Sequence, residues 1–127
     1  MGGVSAPPGI GIDLIEIERL ERAIERRPAL AERIFSPGEL EHANRHPRPG
    51  RHLAARFAAK EAALKALGLG GLRLHEVEVE GGGDAAPRLV LHGDAAELAA
   101  RERLELSVSL THSRELAAAV VRCDPVT

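Results

Sequence analysis

Two carboxylates in this chain stand among apolar residues, each in a segment that also carries other unusual chemistry. Asp13 interrupts a run in which Ile10, Ile12 and Leu14 alternate with Gly11, Asp13 and Ile15, and Gly9 and Gly11 just before it allow another backbone or a ligand to come close. Glu61 lies in an Ala/Leu-rich segment with Arg56, Lys60 and Lys65. At about 100° per residue, Glu61 falls about 40° from Phe57 on the stripe shared by Leu53 and Leu64, and Lys60 about 60° to the other side. An unpaired carboxylate there would cost several kcal/mol, so Glu61 needs a cation, a strong hydrogen-bond set or a proton. Lys65, four residues on, offers an ordinary helix pair worth only ~0.2–0.5 kcal/mol. Two carboxylates from separate elements, completed by water and phosphate oxygens, suit Mg²⁺, which takes few protein ligands. The cations around Glu61 suit a diphosphate. The plainer alternatives are solvated helix charges and a strand-end carboxylate.

Other motifs exclude more than they assign. Gly9-x-Gly11 lacks the third glycine of a dinucleotide fingerprint and precedes its strand instead of following it. Ser109, Thr111, His112 and Ser113 sit close together without a G-x-S-x-G elbow, so a serine hydrolase is not indicated. His112 reads either as a turn residue or as a phosphate ligand, and His42, His46, His52, His75 and His92 show no persuasive metal-ligand spacing.

The elements that must position these residues follow from periodicity and punctuation. A strand over 10–15 gives way to helical spacing from residue 16 to Pro28, with Ile17, Leu20 and Ile24 on one face. A short helical piece covers 29–35, and Ser36, Pro37 and Glu39 form a capping box that starts a helix over 37–45. Pro47, Pro49 and Gly50 read as a loop before a helix over 52–67, stopped by Gly68. Val77 and Val79, the turn 81–84 and the run 88–92 read as a hairpin; Asp94 caps a helix over 95–103. Leu106, Val108 and Leu110, a turn at 112–115 and a strand over 117–121 complete the chain. Strands and helices do not alternate regularly, which predicts an α+β fold with mainly antiparallel pairing against the long helix.

Composition limits the partners. The 127 residues fit one domain, with residues 1–8 as a flexible extension, and 44% hydrophobic against 28% charged residues describes a folding chain. With two Phe and no Tyr or Trp the core is thin, and sharing apolar surface with other subunits is one remedy. A net charge of −2 gives no basic field for nucleic acid or a membrane surface. One cysteine, no signal peptide and no long apolar run predict a cytoplasmic protein.

Three blocks resemble the holo-acyl-carrier-protein synthase family, the short phosphopantetheinyl transferases. Gly9-Ile-Gly-Ile-Asp13-Leu-Ile-Glu16 resembles its G-x-G-x-D segment, and Arg56-Phe-Ala-Ala-Lys60-Glu61-Ala-Ala-Leu-Lys65-Ala its W/F-x-x-K-E-A-x-x-K helix; Ser109-Leu-Thr-His112-Ser113 resembles its S-I/L-S/T-H segment. With Ala31-Glu32-Arg33-Ile34-Phe35-Ser36 between the first two, the likeness runs in order from about residue 9 to 122. The resemblance implies the phosphopantetheinyl transferase fold and transfer of 4′-phosphopantetheine from coenzyme A to a serine of acyl carrier protein. It further implies Mg²⁺ on Asp13 and Glu61, catalysis by these two with Lys65, and coenzyme A phosphates on Arg56, Lys60, Lys65 and His112. Arg19, Arg22 and Arg26 would face the acidic carrier protein, and homotrimers would carry sites at their interfaces. Glu61 is the candidate general base. Two departures touch the interface: Leu116 stands where the family often has Tyr, and Ala85-Ala86-Pro87-Arg88 replaces its G-K-P. A phosphohydrolase with the same residues and a non-enzymatic module binding an acidic partner are the competing readings.

Overall fold

A computed structural model describes residues 9–71 and 73–126; the extension expected at residues 1–8 lies outside them. In chain order the elements are β1 (Ile10–Glu16), α1 (Ile17–Arg26), α2 (Ala29–Ile34), α3 (Pro37–Asn44), α4 (Pro49–Leu67), a 3-10 turn at Leu74–Glu76, β2 (Val77–Gly82), β3 (Ala85–Leu91), α5 (Gly93–Arg101), β4 (Leu104–His112) and β5 (Leu116–Pro125). The α+β class and the antiparallel pairing are as expected, but the strands form two sheets, β1-β5-β4 and the β2-β3 hairpin.

The long helix organises both sheets. α4 begins at Pro49, three residues before the expected start, because proline suits the first helical position, where its missing N–H is not needed. It ends on Gly68 at φ +73°, with Leu69 N–H bonded to Leu64 O at 2.8 Å and Gly68 N–H to Lys65 O at 3.1 Å, the paired bonds of a Schellman stop. Ala54, Ala55, Ala58, Ala59, Ala62, Ala63 and Ala66 are all buried along it. Small side chains let the sheet backbones lie close, and Leu64, Leu67, Val77, Val79, Val121 and Cys123 fill what remains of the main core.

The β1-β5-β4 sheet presents Ala119, Val121 and Cys123 to that core and Ala117 to a second cluster with Ile17, Leu20 and Phe35. On β1, Gly11, Asp13 and Ile15 pair with Val121, Ala119 and Ala117, which places Asp13 on the covered face. The opposite face carries Ile10, Ile12 and Leu14, exposed at 62%, 67% and 63%. At the far end, α5 starts at Gly93 without a side-chain cap of its own; the expected cap, Asp94, binds Arg73 instead. The buried Glu76 carboxylate takes the Ala95 N–H at 2.8 Å and does the capping from outside the helix.

Candidate active site

The site starts with a glycine. A β-carbon on Gly11 would lie 2.0 Å from Ala62 O and 2.9 Å from Ala66 N, so β1 touches the α4 backbone where any other residue would hold it away. Gly9 N–H also reaches Ala66 O at 3.3 Å. This contact brings Asp13 to the side chains one helical turn around Ala62. Lys65 Nζ lies 3.3 Å from Asp13 Oδ1 and donates to Ile12 O at 3.0 Å. Burial, and then the Asp13 charge, push the Glu61 carboxyl above the ordinary carboxylate value, with Lys65 opposing. Two carboxylates repelling one another at a half-buried position form a donor set that a cation would relieve. Asp13, Glu61, Lys65 and Arg19 line one cavity of about 470 Å³ whose walls include Leu14, Leu20, Ile34 and Phe57.

A second cleft, of about 320 Å³, opens elsewhere on α4, between α3 and the hairpin, with His42, Arg45, Arg56 and Gly81–Gly82 in its lining. Arg56 is 3% exposed; its Nη2 donates to Gly81 O at 2.6 Å, while its buried Nε has no partner. Burial pushes its guanidinium below the usual arginine value. Gly82, at φ +97°, brings the hairpin turn against that guanidinium: a β-carbon would sit 3.3 Å from Arg56 Nη2. His112 ends β4, its ring edge-on to His52 at 5.4 Å between centroids. Burial and the neighbouring Arg51 and His46 lower its pKa. On α4, Arg56 and Glu61 are five residues and therefore about 140° apart, so the structure brings Asp13, Glu61 and Lys65 together and leaves Arg56 and His112 elsewhere.

Lys60, expected on a phosphate, has its ammonium in the interior. Nζ lies 2.8 Å from Glu39 Oε1, at side-chain exposures of 1% and 0%, and also donates to Val77 O. Burial lowers the Lys60 pKa and the Glu39 charge raises it back, leaving a net downward shift. The same Glu39 completes the capping box with Ser36 and accepts the Val79 N–H at 2.8 Å, so one carboxylate ties α3, α4 and β2 together. Arg19, Arg22 and Arg26 line a shallow depression on exposed α1, where Arg22 is paired with Glu18.

The model of the 4′-phosphopantetheinyl transferase superfamily matches residues 9–121, which takes in all three blocks and both clefts. The chain belongs to that superfamily. Among relatives of this transferase, the holo-[acyl-carrier-protein] synthase of Moorella thermoacetica is 48% identical over 113 residues, covering 87% of this chain and 88% of its own. The Yersinia enterocolitica holo-[acyl-carrier-protein] synthase is 46% identical over 118 residues, covering 89% and 94%. The Mycobacterium tuberculosis acyl carrier protein synthase superposes with a TM-score of 0.76 at 33% identity, covering 95% of this chain and all of that one. The Helicobacter pylori holo-[acyl-carrier-protein] synthase, solved in complex with coenzyme A, gives 0.77 at 30% identity and covers 91% and 99%. The phosphopantetheinyl transferase fold expected from the three blocks is therefore the fold of this chain.

Sequence reasoning missed two features of the transferase. One is Glu39: a lysine entering an apolar stripe requires a buried anion, and Glu39 was visible only as a capping residue. The other is the grouping of His42, His46 and His52, each of which has a ring nitrogen within 4.8 Å of those of the other two. His42 and His46 already stood at the i,i+4 spacing of a helix face; nothing in the sequence joined them to His52.

Proposed function

We infer that this transferase moves the 4′-phosphopantetheine arm of coenzyme A to a serine hydroxyl of apo acyl carrier protein, leaving adenosine 3′,5′-bisphosphate. Its relatives carry that synthase name, and the Helicobacter pylori structure contains coenzyme A. The observation that carries the reading is the meeting of Asp13, Glu61 and Lys65 beside the arginine-bearing helix. Asp13 and Glu61 would hold Mg²⁺, which suits their shared repulsion and would supply positive charge to a diphosphate.

The remaining roles fall to the chain. A bond forms between the serine oxygen and the β-phosphorus while the bridging P–O bond to the departing bisphosphate breaks. Lys65, 54% exposed and salt-bridged only to Asp13 among the described residues, turns its ammonium to a phosphoryl oxygen as charge develops there. Glu61, directly or through a water, accepts the serine proton. Arg56 and His112 bind the phosphates of the nucleotide end. Lys60 acts indirectly, by holding Glu39 and with it the α3 and β2 walls. Arg19, Arg22 and Arg26 meet the acidic carrier.

Two half-sites on different sides of α4 are best used together if one copy supplies the carboxylates and its neighbour Arg56 and His112. The exposed Ile10, Ile12 and Leu14 face supplies the apolar surface for a closed homotrimer. No helix among the described residues is long and apolar enough to cross a membrane. We assign the enzyme to the cytoplasm, preparing carriers for fatty-acid and related acyl-chain synthesis.

Intact mass tests the reading: apo carrier protein incubated with coenzyme A, Mg²⁺ and the transferase gains about 340 Da, and chelation prevents it. No gain on any apo carrier refutes the transfer. Hydrolysis of coenzyme A in the absence of carrier would identify a phosphohydrolase instead.

A further inference from the structure

We propose that His42, His46 and His52 form a second metal site, which takes a borderline transition ion such as Zn²⁺ or Co²⁺ through three imidazoles. His42 lies in the last turn of α3, His46 follows two residues after that helix, and His52 is in the first turns of α4. One ring nitrogen from each falls within 4.8 Å of the other two, and all three residues are half-buried. Tetrahedral ligands at about 2.0 Å from zinc stand about 3.3 Å apart, so the three side chains must rotate to bring their nitrogens to that spacing. His46 and His52 stack at 3.7 Å between ring centroids and His42 lies 5.1 Å from His46, so binding opens the stack as the His46 and His52 nitrogens turn towards one ion.

The segment carrying them is pinned. Arg48 makes two bonds to Glu21, at 2.9 and 3.1 Å, and donates to Arg114 O at 3.0 Å, so the α3–α4 link is held to α1 and to the β4–β5 turn. His42 also sits at a helix C-terminus, where the backbone dipole favours a cation. Burial and neighbouring cations hold His42 and His52 below the ordinary imidazole range, His52 at about 4, which keeps both rings in the neutral form that ligates. The opposing charges are Arg45, Arg51 and Arg56. Arg45 is paired with the Glu41 carboxylate at 2.8 Å, whereas Arg56 is bonded to the neutral Gly81 O.

The site differs in kind from the one at Asp13 and Glu61. Imidazole selects zinc, cobalt, nickel or copper, whereas two carboxylates with water select magnesium. His52 and Glu61 are nine residues apart on α4, about 13 Å along its axis. The His112 ring, 5.4 Å from that of His52, places the cluster beside a residue read as a nucleotide contact.

Calorimetric titration of the metal-stripped full chain with ZnCl₂, paired with CoCl₂ titration followed by visible absorption, tests the proposal. One ion per chain binds, with the absorption of tetrahedral cobalt. His46→Ala and His52→Gln, each checked for native circular dichroism, weaken it by at least about 100-fold, since loss of even an outer partner costs 10–100-fold. Glu61→Gln and His92→Ala leave it unchanged. Absence of zinc and cobalt binding, binding that survives both histidine substitutions, or binding that disappears in Glu61→Gln would overturn the proposal. None of these outcomes depends on phosphopantetheine transfer.

Discussion

Replacing Gly11 by alanine should damage stability and catalysis together. The added methyl would lie 2.0 Å from Ala62 O and 2.9 Å from Ala66 N. Both are backbone atoms inside α4, hydrogen-bonded into the helix, so no side-chain rotation relieves the clash. β1 must therefore move away from α4 by about 1 Å or more to reach ordinary contact. Overpacking of this kind costs about 1–3 kcal/mol, and the absence of a flexible partner places Gly11→Ala at the upper end. For a domain of this size that is a fall in melting temperature of roughly 10 °C. Catalysis falls separately, because Asp13 rides on the displaced strand while Glu61 and Lys65 stay on the helix. A misplacement of about 1 Å at reacting groups costs about 100-fold in rate. Urea unfolding measures the first effect and mass-detected carrier modification, run well below the unfolding transition, the second. Gly70→Ala is the control: nothing lies within 4 Å of its added carbon, so its effect stays within about 0.5 kcal/mol. If Gly11→Ala unfolds at the same urea concentration as the parent and modifies carrier at the same rate, the strand-on-helix contact does not position the site.

Further outcomes follow from the charges. Glu61→Gln abolishes Mg²⁺-dependent transfer yet, with Mg²⁺ chelated, stabilises the fold at neutral pH: a folded-state pKa raised by burial and Asp13 means stability is lost as pH climbs from the ordinary carboxylate value through the raised one, and the substitution removes that slope in urea titrations. Lys60→Met leaves the buried Glu39 carboxylate unpaired and costs about 3–5 kcal/mol, most of which is recovered when Glu39→Gln is added; additive losses in the double-mutant cycle would refute the pairing. His52, depressed from 6.5 to about 4, binds a proton more readily when unfolded; stability is therefore lost as pH falls from 6.5 towards 4, and His52→Gln flattens that part of the profile. Arg19→Ala raises the KM for carrier protein several-fold with a weaker salt dependence, and Arg22→Ala does so less, because Arg22 is already paired with Glu18; equal kcat and KM in Arg19→Ala would remove α1 from the carrier surface.

Much of this protein was legible in one dimension because the signals involved are local. The capping box of Ser36 and Glu39, the glycine that stops α4 and the period of each strand depend on neighbours a few residues away, and the structure keeps them, with helix starts moved to Pro49 and Gly93 and the strands lengthened to begin at Ala85 and to end at Pro125. The suspicion attached to Asp13 and Glu61 was also a local inference, a charge set in an apolar pattern. What brought them together was not local: β1 reaches α4 only because Gly11 has no side chain to meet Ala62, and no spacing rule contains that distance. Pattern alone could not choose which face of β1 is covered either, since either set could face the core. The fold leaves Ile10, Ile12 and Leu14 outside, and puts Gly11 and Asp13 against the helix. Lys60 and Glu61 looked alike as adjacent charges beside one apolar stripe. Tertiary packing separated them, giving the lysine a buried partner on α3 and leaving the glutamate at a cleft. Sequence determined which residues are chemically costly to place, because that cost follows from residue type and period. Only the three-dimensional arrangement decided which of them is neutralised within the chain and which is left facing a carboxylate of its own sign, because charge compensation depends on distances between segments far apart in sequence.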